Sequence, residues 1–293
     1  MGTHKNLGLK LLQTYARSFP LDRGKQRVAS WLWKPLSHGQ YQREATLQGS
    51  SVSLCCDLTQ FIQRQLYLFG SYEEEYCAFW IRRALQANTI FDIGANIGLY
   101  SLLAAEANPL ASIHAFEPTP ELIDRFKANL TLNRYLNVRV NAVAIGSHEG
   151  TARLRECRGS DGSNEGMNYV SEDSDQTSLG RLVPVLSLDQ YCSSHGVSTI
   201  DLMKIDIEGG EYDALVGASE RLEAQAIRCL MIEFTDWAAQ RSGHSTADLK
   251  VLLESFAYVL HRLKDGRLVE LGSEKIREGE NLIAIPRSGS RDC

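Results

Sequence analysis

The sequence predicts an α/β protein: a doubly wound, mostly parallel sheet of seven strands with helices on both faces, preceded by a basic helical arm. Three observations carry this reading. From residue 89 onward, short apolar runs alternate with amphipathic segments of helical length, the pattern of crossover units that cover a parallel sheet on both sides. A glycine-bearing turn, Asp92-Ile93-Gly94-Ala95-Asn96-Ile97-Gly98, follows the first of these runs, where open α/β sheets bind their ligands. The chain has 293 residues, 43% hydrophobic and 23% charged, enough to bury a sizeable core without covalent staples. A disordered chain, a collagen-like repeat and a disulfide-held miniprotein are excluded.

Residues 7–17 put Leu7, Leu11, Leu12 and Tyr15 on one helical face beside Lys10 and Arg17. A second helix over 22–34 ends in Trp31 and Trp33 before Pro35. Residues 45–69 read as short strands and turns, and Glu73–Gln86 as a helix. The seven strands are expected at Thr89–Ile93, Ser112–Phe116, Val138–Ala144, Leu202–Ile207, Ile227–Phe234, Tyr258–Leu263 and Asn281–Ile285. Helices are expected at Gly98–Ala107, Pro120–Leu132, Glu211–Leu222 and Ala247–Phe256. Arg155–Gly180 breaks the rhythm, being rich in Gly, Ser, Asp, Asn and Glu. A connection that long is either a lid or a passive excursion. The domains are therefore an arm, 1–44, and a main domain, 45–288, carrying a lid-like insertion at 155–180.

Charge is unevenly spread. Residues 1–43 hold eight basic side chains and one acidic one, net +7, so the remaining 250 residues carry −12 of the total of −5. The total argues against a nucleic-acid binder. The arm has two readings, a helical segment packed on the main domain or a neighbouring subunit, and a basic amphipathic contact with an anionic membrane surface. A homodimer is compatible with the first. No run approaches the ~18 apolar residues that span a bilayer, and Lys10 and Arg17 interrupt the leading leucines. The expected location is the cytoplasm, peripheral to a membrane if the arm binds lipid. The seven cysteines (Cys55, Cys56, Cys77, Cys157, Cys192, Cys229 and Cys293) form no C-x-x-C pair and are odd in number, as expected of free thiols in a reducing compartment.

The turn after the first strand is not a dinucleotide fingerprint, because Asn96 and Leu99 stand where G-x-G-x-x-G needs glycine. The pattern that fits is acid-x-Gly-x-(Gly or Asn)-x-Gly. An acidic residue leading the turn repels phosphate and suits a ligand bearing an ammonium group, and S-adenosylmethionine has an ammonium, a sulfonium and no phosphate. Glu117 closes the second strand, where a carboxylate receives a ribose diol, and Pro118 ends that strand. In Met203-Lys204-Ile205-Asp206-Ile207-Glu208-Gly209-Gly210-Glu211, Lys204 and Asp206 share one face of a buried strand. A buried charge needs a partner, which puts Asp206 at the strand's exposed carboxyl tip. Glu211 reads as a helix cap.

D-I-G-A-N-I-G at Asp92–Gly98, Glu117-Pro118 and K-I-D-I-E-G-G-E at Lys204–Glu211 together resemble the FkbM family of S-adenosylmethionine-dependent methyltransferases. Gly70-Ser71-Tyr72-Glu73, Asn141–Gly146, Leu188-Asp189 and Ile232-Glu233 also match in order. The resemblance covers about residues 45–285. It implies a class I, Rossmann-like methyltransferase domain that moves a methyl group to a hydroxyl on a sugar, glycolipid or polyketide-type natural product. Asp92, Gly94, Asn96 and Gly98 would line the methionine part of the cofactor. Glu117 and Pro118 would lie at the ribose, and Asn141 and Val143 against the adenine. Asp206 and Glu208 would face cofactor and acceptor, with Tyr72, Glu73, Asn168 and Glu233 as acceptor contacts. Gly166-Met167-Asn168-Tyr169 departs from the family pattern, which has a small hydroxylic residue after the glycine.

An alcohol attacks a sulfonium methyl faster when its proton is removed, a gain of roughly 10²–10⁴-fold. Asp206 is the first candidate for that role and Glu208 the second. His148 and His195 are expected near the same edge as solvated loop residues. Asp206, Glu208 and Glu233 offer hard oxygens to a divalent cation, but no dense cluster fixes a geometry and no metal is assigned. The alternative function is a catalytically silent cofactor-binding or scaffold protein of the same fold.

Overall fold

The computed structural model describes residues 7–18, 24–37, 39, 41–155, 169–171 and 180–289. Contacts divide the chain into two compact units, the first ending at Glu74 and the second beginning at Glu75. The division thus falls after the short strands, not at residue 44.

The first unit contains α1 (Leu7–Ser18), α2 (Lys25–Leu36), an antiparallel hairpin of β1 (Gln42–Thr46) and β2 (Ser53–Asp57), and α3 (Phe61–Phe69). The apolar face of α1 is not the predicted one. Leu9, Leu12 and Ala16 are buried, whereas Leu7 and Leu11 face solvent. The reason lies at the helix's end, where Arg17 donates to Thr46 O (2.9 Å) and Tyr67 O (2.8 Å) and Gln13 donates to Tyr67 O (2.8 Å). These bonds turn the Leu9–Leu12–Ala16 stripe inward. Helix α2 runs through Pro35 to Leu36. A proline so near the end removes one N–H and leaves the final turn intact, with Ser37 N–H bonded to Trp33 O at 2.9 Å. The segment expected as strands and turns contains α3, which buries Leu66, Tyr67 and Leu68.

The second unit begins with α4 (Glu74–Ala84), β3 (Thr89–Ile93), α5 (Leu99–Ala107), β4 (Ser112–Phe116), α6 (Pro120–Asn133) and β5 (Val138–Asn141). Next come β6 (Ala144–Ile145), β7 (Gly150–Arg155), β8 (Tyr169–Ser171), β9 (Arg181–Leu186) and α7 (Leu188–His195). It continues with β10 (Leu202–Ile205), α8 (Glu211–Val216), α9 (Ser219–Glu223), β11 (Leu230–Phe234), α10 (Asp236–Ala239) and α11 (Thr246–Ser255). It closes with β12 (Tyr258–Lys264), β13 (Arg267–Glu270) and β14 (Glu280–Pro286).

The main sheet runs β13-β12-β14-β11-β10-β3-β4-β5. Strands β5, β4, β3, β10 and β11 are parallel, and β14 lies antiparallel between β11 and β12. Chain order reverses between β3 and β10, so their carboxyl ends open a crevice. The sheet has eight strands, not seven. The extra one, β13, pairs back on β12 through Asp265-Gly266, whose φ values of 50° and 73° suit the tight hairpin turn that an Asp-Gly pair favours. The predicted strand Val138–Ala144 splits, because Ala144 and Ile145 pair with β9 in a separate four-stranded sheet of order β6-β9-β7-β8. That sheet brackets the predicted insertion, of which only Arg155, Tyr169–Ser171 and Gly180 lie within the described residues. The predicted helix Glu211–Leu222 is broken at Gly217-Ala218.

Phe91, Met203, Ile205, Leu230, Ile232, Phe234 and Leu282 form the heart of the core between the sheet and its helices. The central strands are therefore apolar on both faces, as parallel strands covered by helices must be. Among the described residues, no helix is long and apolar enough to cross a membrane.

Candidate functional site

The turn after β3 is fixed by steric demand. Gly94 has φ 81°, and a Cβ there would lie 1.8 Å from Asp206 O, so only glycine lets β10 end beside it. Gly98 (φ 92°) opens α5, and a Cβ on it would strike the Phe126 ring at 2.2 Å. Asn96 takes the left-handed conformation at φ 51°, and its side-chain oxygen accepts from Ile97 N–H at 2.8 Å. Gly94 and Ala95 N–H both bond Phe116 O at 3.0 Å, which ties the turn to the end of β4.

Two buried carboxylates border this turn. Asp92 accepts from Ser101 N–H (3.0 Å) and Ser101 O–H (2.6 Å) through one oxygen. Its other oxygen has no hydrogen-bond partner among the described residues. Burial pushes its proton affinity up, against the pull of Lys204 and the Ser101 bonds. Glu117 accepts from Asn96 N–H (2.9 Å) and Thr119 N–H (2.9 Å), and burial raises its proton affinity too. Glu117 N–H bonds Asn141 O at 3.1 Å. Asn141 itself accepts from Tyr191 O–H at 3.2 Å and donates to Ala115 O at 3.0 Å. Val143 packs at the margin of the main core.

Lys204 is 3% exposed in the middle of β10. It reaches the tip of its strand, where its Nζ lies 2.6 Å from Asp206 Oδ2 and over the Tyr100 ring at 4.8 Å. The sequence expectation that Lys204 and Asp206 share a face is met. Glu208 follows in the left-handed region at φ 59°, a conformation that costs on the order of 1 kcal/mol in a residue without a short polar side chain. Its proton affinity is pushed up to about 7, by burial first and then by Asp206 and Glu211, with Arg241 and Lys204 opposing. Glu233, at the end of β11, is pushed up by burial and by Asp206, Glu208 and Glu211. Glu211, the first residue of α8, accepts from Ile207 N–H (2.9 Å) and Gly209 N–H (3.0 Å), so it ties down the loop before the helix and does not cap it as expected; the cap position is Gly210, with no side-chain bond.

Arg241 is a residue that the sequence reading missed. Its guanidinium lies over the Tyr169 ring at 4.2 Å and the Trp237 ring at 4.4 Å and donates to Glu208 O at 3.1 Å. Nothing in the local sequence points to it, since it stands far from Glu208 in the chain. His195 corrects an expectation. It stacks on Tyr191 at 4.0 Å and lines a cavity of about 380 Å³ with Thr89, Ser112, His114, Arg139 and Asp201. Those residues start the strands, so His195 sits at the amino edge. His148 lies in a loop beside Ser147, 2.9 Å away. Tyr72 and Glu73 belong to the first unit. Asn168 lies outside the described residues. Among the described residues, no three His, Cys, Asp or Glu side chains are arranged to hold a metal ion.

A sheet of six parallel strands with the reversed β14 set between β11 and β12, a glycine turn after the central strand, and a carboxylate closing the next strand define a class I methyltransferase. The chain belongs to the FkbM methyltransferase family: residues 92–260 match the domain described as Methyltransferase FkbM domain. It is 27% identical over 191 residues to the 31-O-demethyl-FK506 methyltransferase FkbM of Streptomyces tacrolimicus, covering 55% of this chain and 69% of that one. It is 28% identical over 181 residues to the 2-O-methyltransferase NoeI of Sinorhizobium fredii, covering 58% and 72%. A SAM-dependent methyltransferase of Agrobacterium tumefaciens superposes with a TM-score of 0.45 at 13% identity, over 83% of this chain and 69% of that one.

The methyl donor of this family is S-adenosylmethionine, and the residues present fit it. Asp92 keeps a buried acceptor atom that no donor among the described residues satisfies, and each Glu117 oxygen bonds one backbone N–H, which leaves lone pairs for ligand donors. An ammonium group and a ribose diol supply such donors; a pyrophosphate supplies none.

Proposed function

We propose that this methyltransferase acts on oxygen, transferring a methyl group to a hydroxyl of a sugar or a sugar-bearing or polyketide-type natural product. The observation that carries the proposal is the set of carboxylates Asp206, Glu208 and Glu233 at the tips of β10 and β11, each near enough to act on another's charge. Such a site suits removal of a proton from an alcohol. One relative named as a 31-O-demethyl-FK506 methyltransferase and one named as a 2-O-methyltransferase support the same chemistry.

In this reading Asp92, Gly94, Asn96 and Gly98 form the cradle for the amino-acid part of the donor. Glu117 with Pro118 meets the ribose, and Asn141 and Val143 meet the adenine. The bound donor supplies an electrophilic methyl carbon on a cationic sulfur. With the donor bound, the acceptor oxygen would take the methyl group, a C–O bond replacing the C–S bond whose electron pair would stay on sulfur. Glu208 takes the hydroxyl proton, since a base with proton affinity near neutrality matches that task best. Asp206, pinned by Lys204 at 2.6 Å, orients the hydroxyl, and Glu233 contacts the acceptor.

The test compares Glu208→Gln and Asp206→Asn. Both are expected to bind S-adenosylhomocysteine in calorimetric titration yet lose turnover, about 100-fold or more for Glu208→Gln. Wild-type turnover in Glu208→Gln rejects the base assignment, and methyl transfer to nitrogen or carbon acceptors alone rejects the reaction class. A wild-type chain that binds no S-adenosylhomocysteine returns the scaffold reading.

A further inference from the structure

The first unit carries a surface that the methyltransferase chemistry does not use. Helices α1 and α2 contain no acidic residue. Their inner faces bury Leu9, Leu12, Ala16 and Ala29. Outward they expose Leu7 at 57%, Leu11 at 60% and Trp31 at 79%. Lys10, Arg27 and Lys34 stand exposed beside these apolar side chains. Leu7 and Leu11 are one helical turn apart with Lys10 alongside, and Arg27, Trp31 and Lys34 follow the i, i+4, i+7 spacing of a single stripe. The other described arginines near the arm are engaged inside the unit. Arg17 holds Thr46 O and Tyr67 O, and Arg43 donates to Gln42 O. The exposed cations are therefore the ones that lie next to exposed leucine and tryptophan.

Leaving a tryptophan and two leucines in water forgoes burial that a core position would give, and adjoining exposed apolar residues mark an interaction surface. Two features identify the occupant. The cations have no acidic neighbour on either helix, so the face is electrostatically complementary to a negative surface. A second copy docked on the same face through two-fold symmetry would set this patch of Lys10, Arg27 and Lys34 against an identical cationic patch with no acidic residue on either helix to pair with them, which is repulsive. Tryptophan and leucine flanked by lysine and arginine match the polar–apolar boundary of a bilayer. We infer that the exposed face of α1 and α2 docks on an anionic lipid bilayer. The apolar side chains enter the headgroup boundary, and the three cations draw the face to the lipid charge. The inference is independent of which acceptor is methylated.

Flotation of the full chain with vesicles tests it, using phosphatidylcholine alone and phosphatidylcholine mixed with phosphatidylglycerol. The chain is expected to float with the mixed vesicles only and to lose association as salt rises. Lys10→Ala with Lys34→Ala should weaken partitioning roughly 25-fold, about five-fold per charge. Trp31→Phe should remove the blue shift in tryptophan emission that mixed vesicles cause, and Trp31→Ala should weaken partitioning as well. All variants should keep the wild-type affinity for S-adenosylhomocysteine, which shows that they fold. Absence of association with mixed vesicles, or association that neither salt nor the lysine variants change, overturns the inference. So does a dimer, seen by light scattering, that Trp31→Ala dissociates while vesicle binding stays unaltered.

Discussion

The carboxyl of Glu208 bears a charge that its surroundings oppose. Burial and the neighbouring Asp206 and Glu211 push its proton affinity from an ordinary 4.5 to about 7. Because the folded state holds this proton more tightly than the unfolded chain, the contribution to stability is full below about pH 4.5 and is lost as pH rises to about 7. At pH 8 the charged group costs the fold on the order of 1–3 kcal/mol, the lower figure applying to the extent that water reaches it. Glu208→Gln should therefore melt a few degrees above wild type at pH 8 and lose that advantage by pH 4.5, at roughly 2–4 °C per kcal/mol for a domain of this size. Scanning calorimetry at the two pH values checks it; equal melting at pH 8 shows the carboxylate to be well solvated. The same titration governs turnover, which should climb with pH through about 7 as the base loses its proton.

At the scale of elements, the segment that follows β11 controls this group from outside the motif. The Arg241 guanidinium sits between Tyr169 of β8 and Trp237 of α10 while holding the Glu208 carbonyl, so one side chain joins three separate stretches of chain. Arg241→Met keeps the stem and removes the charge. It should destabilise the fold by about 1–2 kcal/mol through loss of two cation–π contacts. It should also move the acid limb of the turnover profile to higher pH, because Arg241 opposes protonation of Glu208. Arg241→Lys should restore the limb and part of the stability, since an ammonium also lies favourably on an aromatic face. An unmoved limb in the methionine variant limits Arg241 to packing. This arrangement marks the boundary of what was legible in the sequence. The β3 turn, Glu117 and the Lys204–Asp206 pair were legible because each is a local signal, glycines at fixed spacing after a strand or alternation within one. Arg241 was not, since only the packing of α10 brings it back to Glu208. Helix α3 was hidden by a run of aromatic and leucine residues that suits a strand equally well, and β13 by a two-residue turn easily passed over. The face of α1 was misassigned because Leu7 and Leu9 are equally apolar, and the bonds of Arg17 to β1 and α3 decide which turns inward.

For the molecule as a whole, the carboxyl edge of the sheet is a row of strand ends stitched to one another. Phe116 O holds the Gly94 and Ala95 N–H groups, Asn141 O holds Glu117 N–H, and Ile93 O holds Asp206 N–H at 3.1 Å. The residues that border the site come from β3, β4, β5, β10 and β11, which lie more than a hundred residues apart at the extremes of the chain segment involved. A ligand spanning that row recognises only the folded arrangement, so binding adds to global stability by mass action. S-adenosylhomocysteine at 100 times its dissociation constant should raise the unfolding free energy by about 2.7 kcal/mol, a rise in melting temperature of roughly 5–10 °C. Glu117 is the residue on which this shift should depend, because it joins the Asn96 turn to the end of β4 through 2.9 Å bonds on both oxygens. Glu117→Ala will melt lower than wild type without ligand, since two buried N–H groups lose their acceptor at about 1–3 kcal/mol each. The informative quantity is therefore each variant's own shift on adding ligand. Wild type should gain the full rise, Glu117→Gln a part of it through its remaining amide oxygen, and Glu117→Ala almost none. A full rise in Glu117→Ala would place the ribose elsewhere along the edge and leave Glu117 as a brace between two loops.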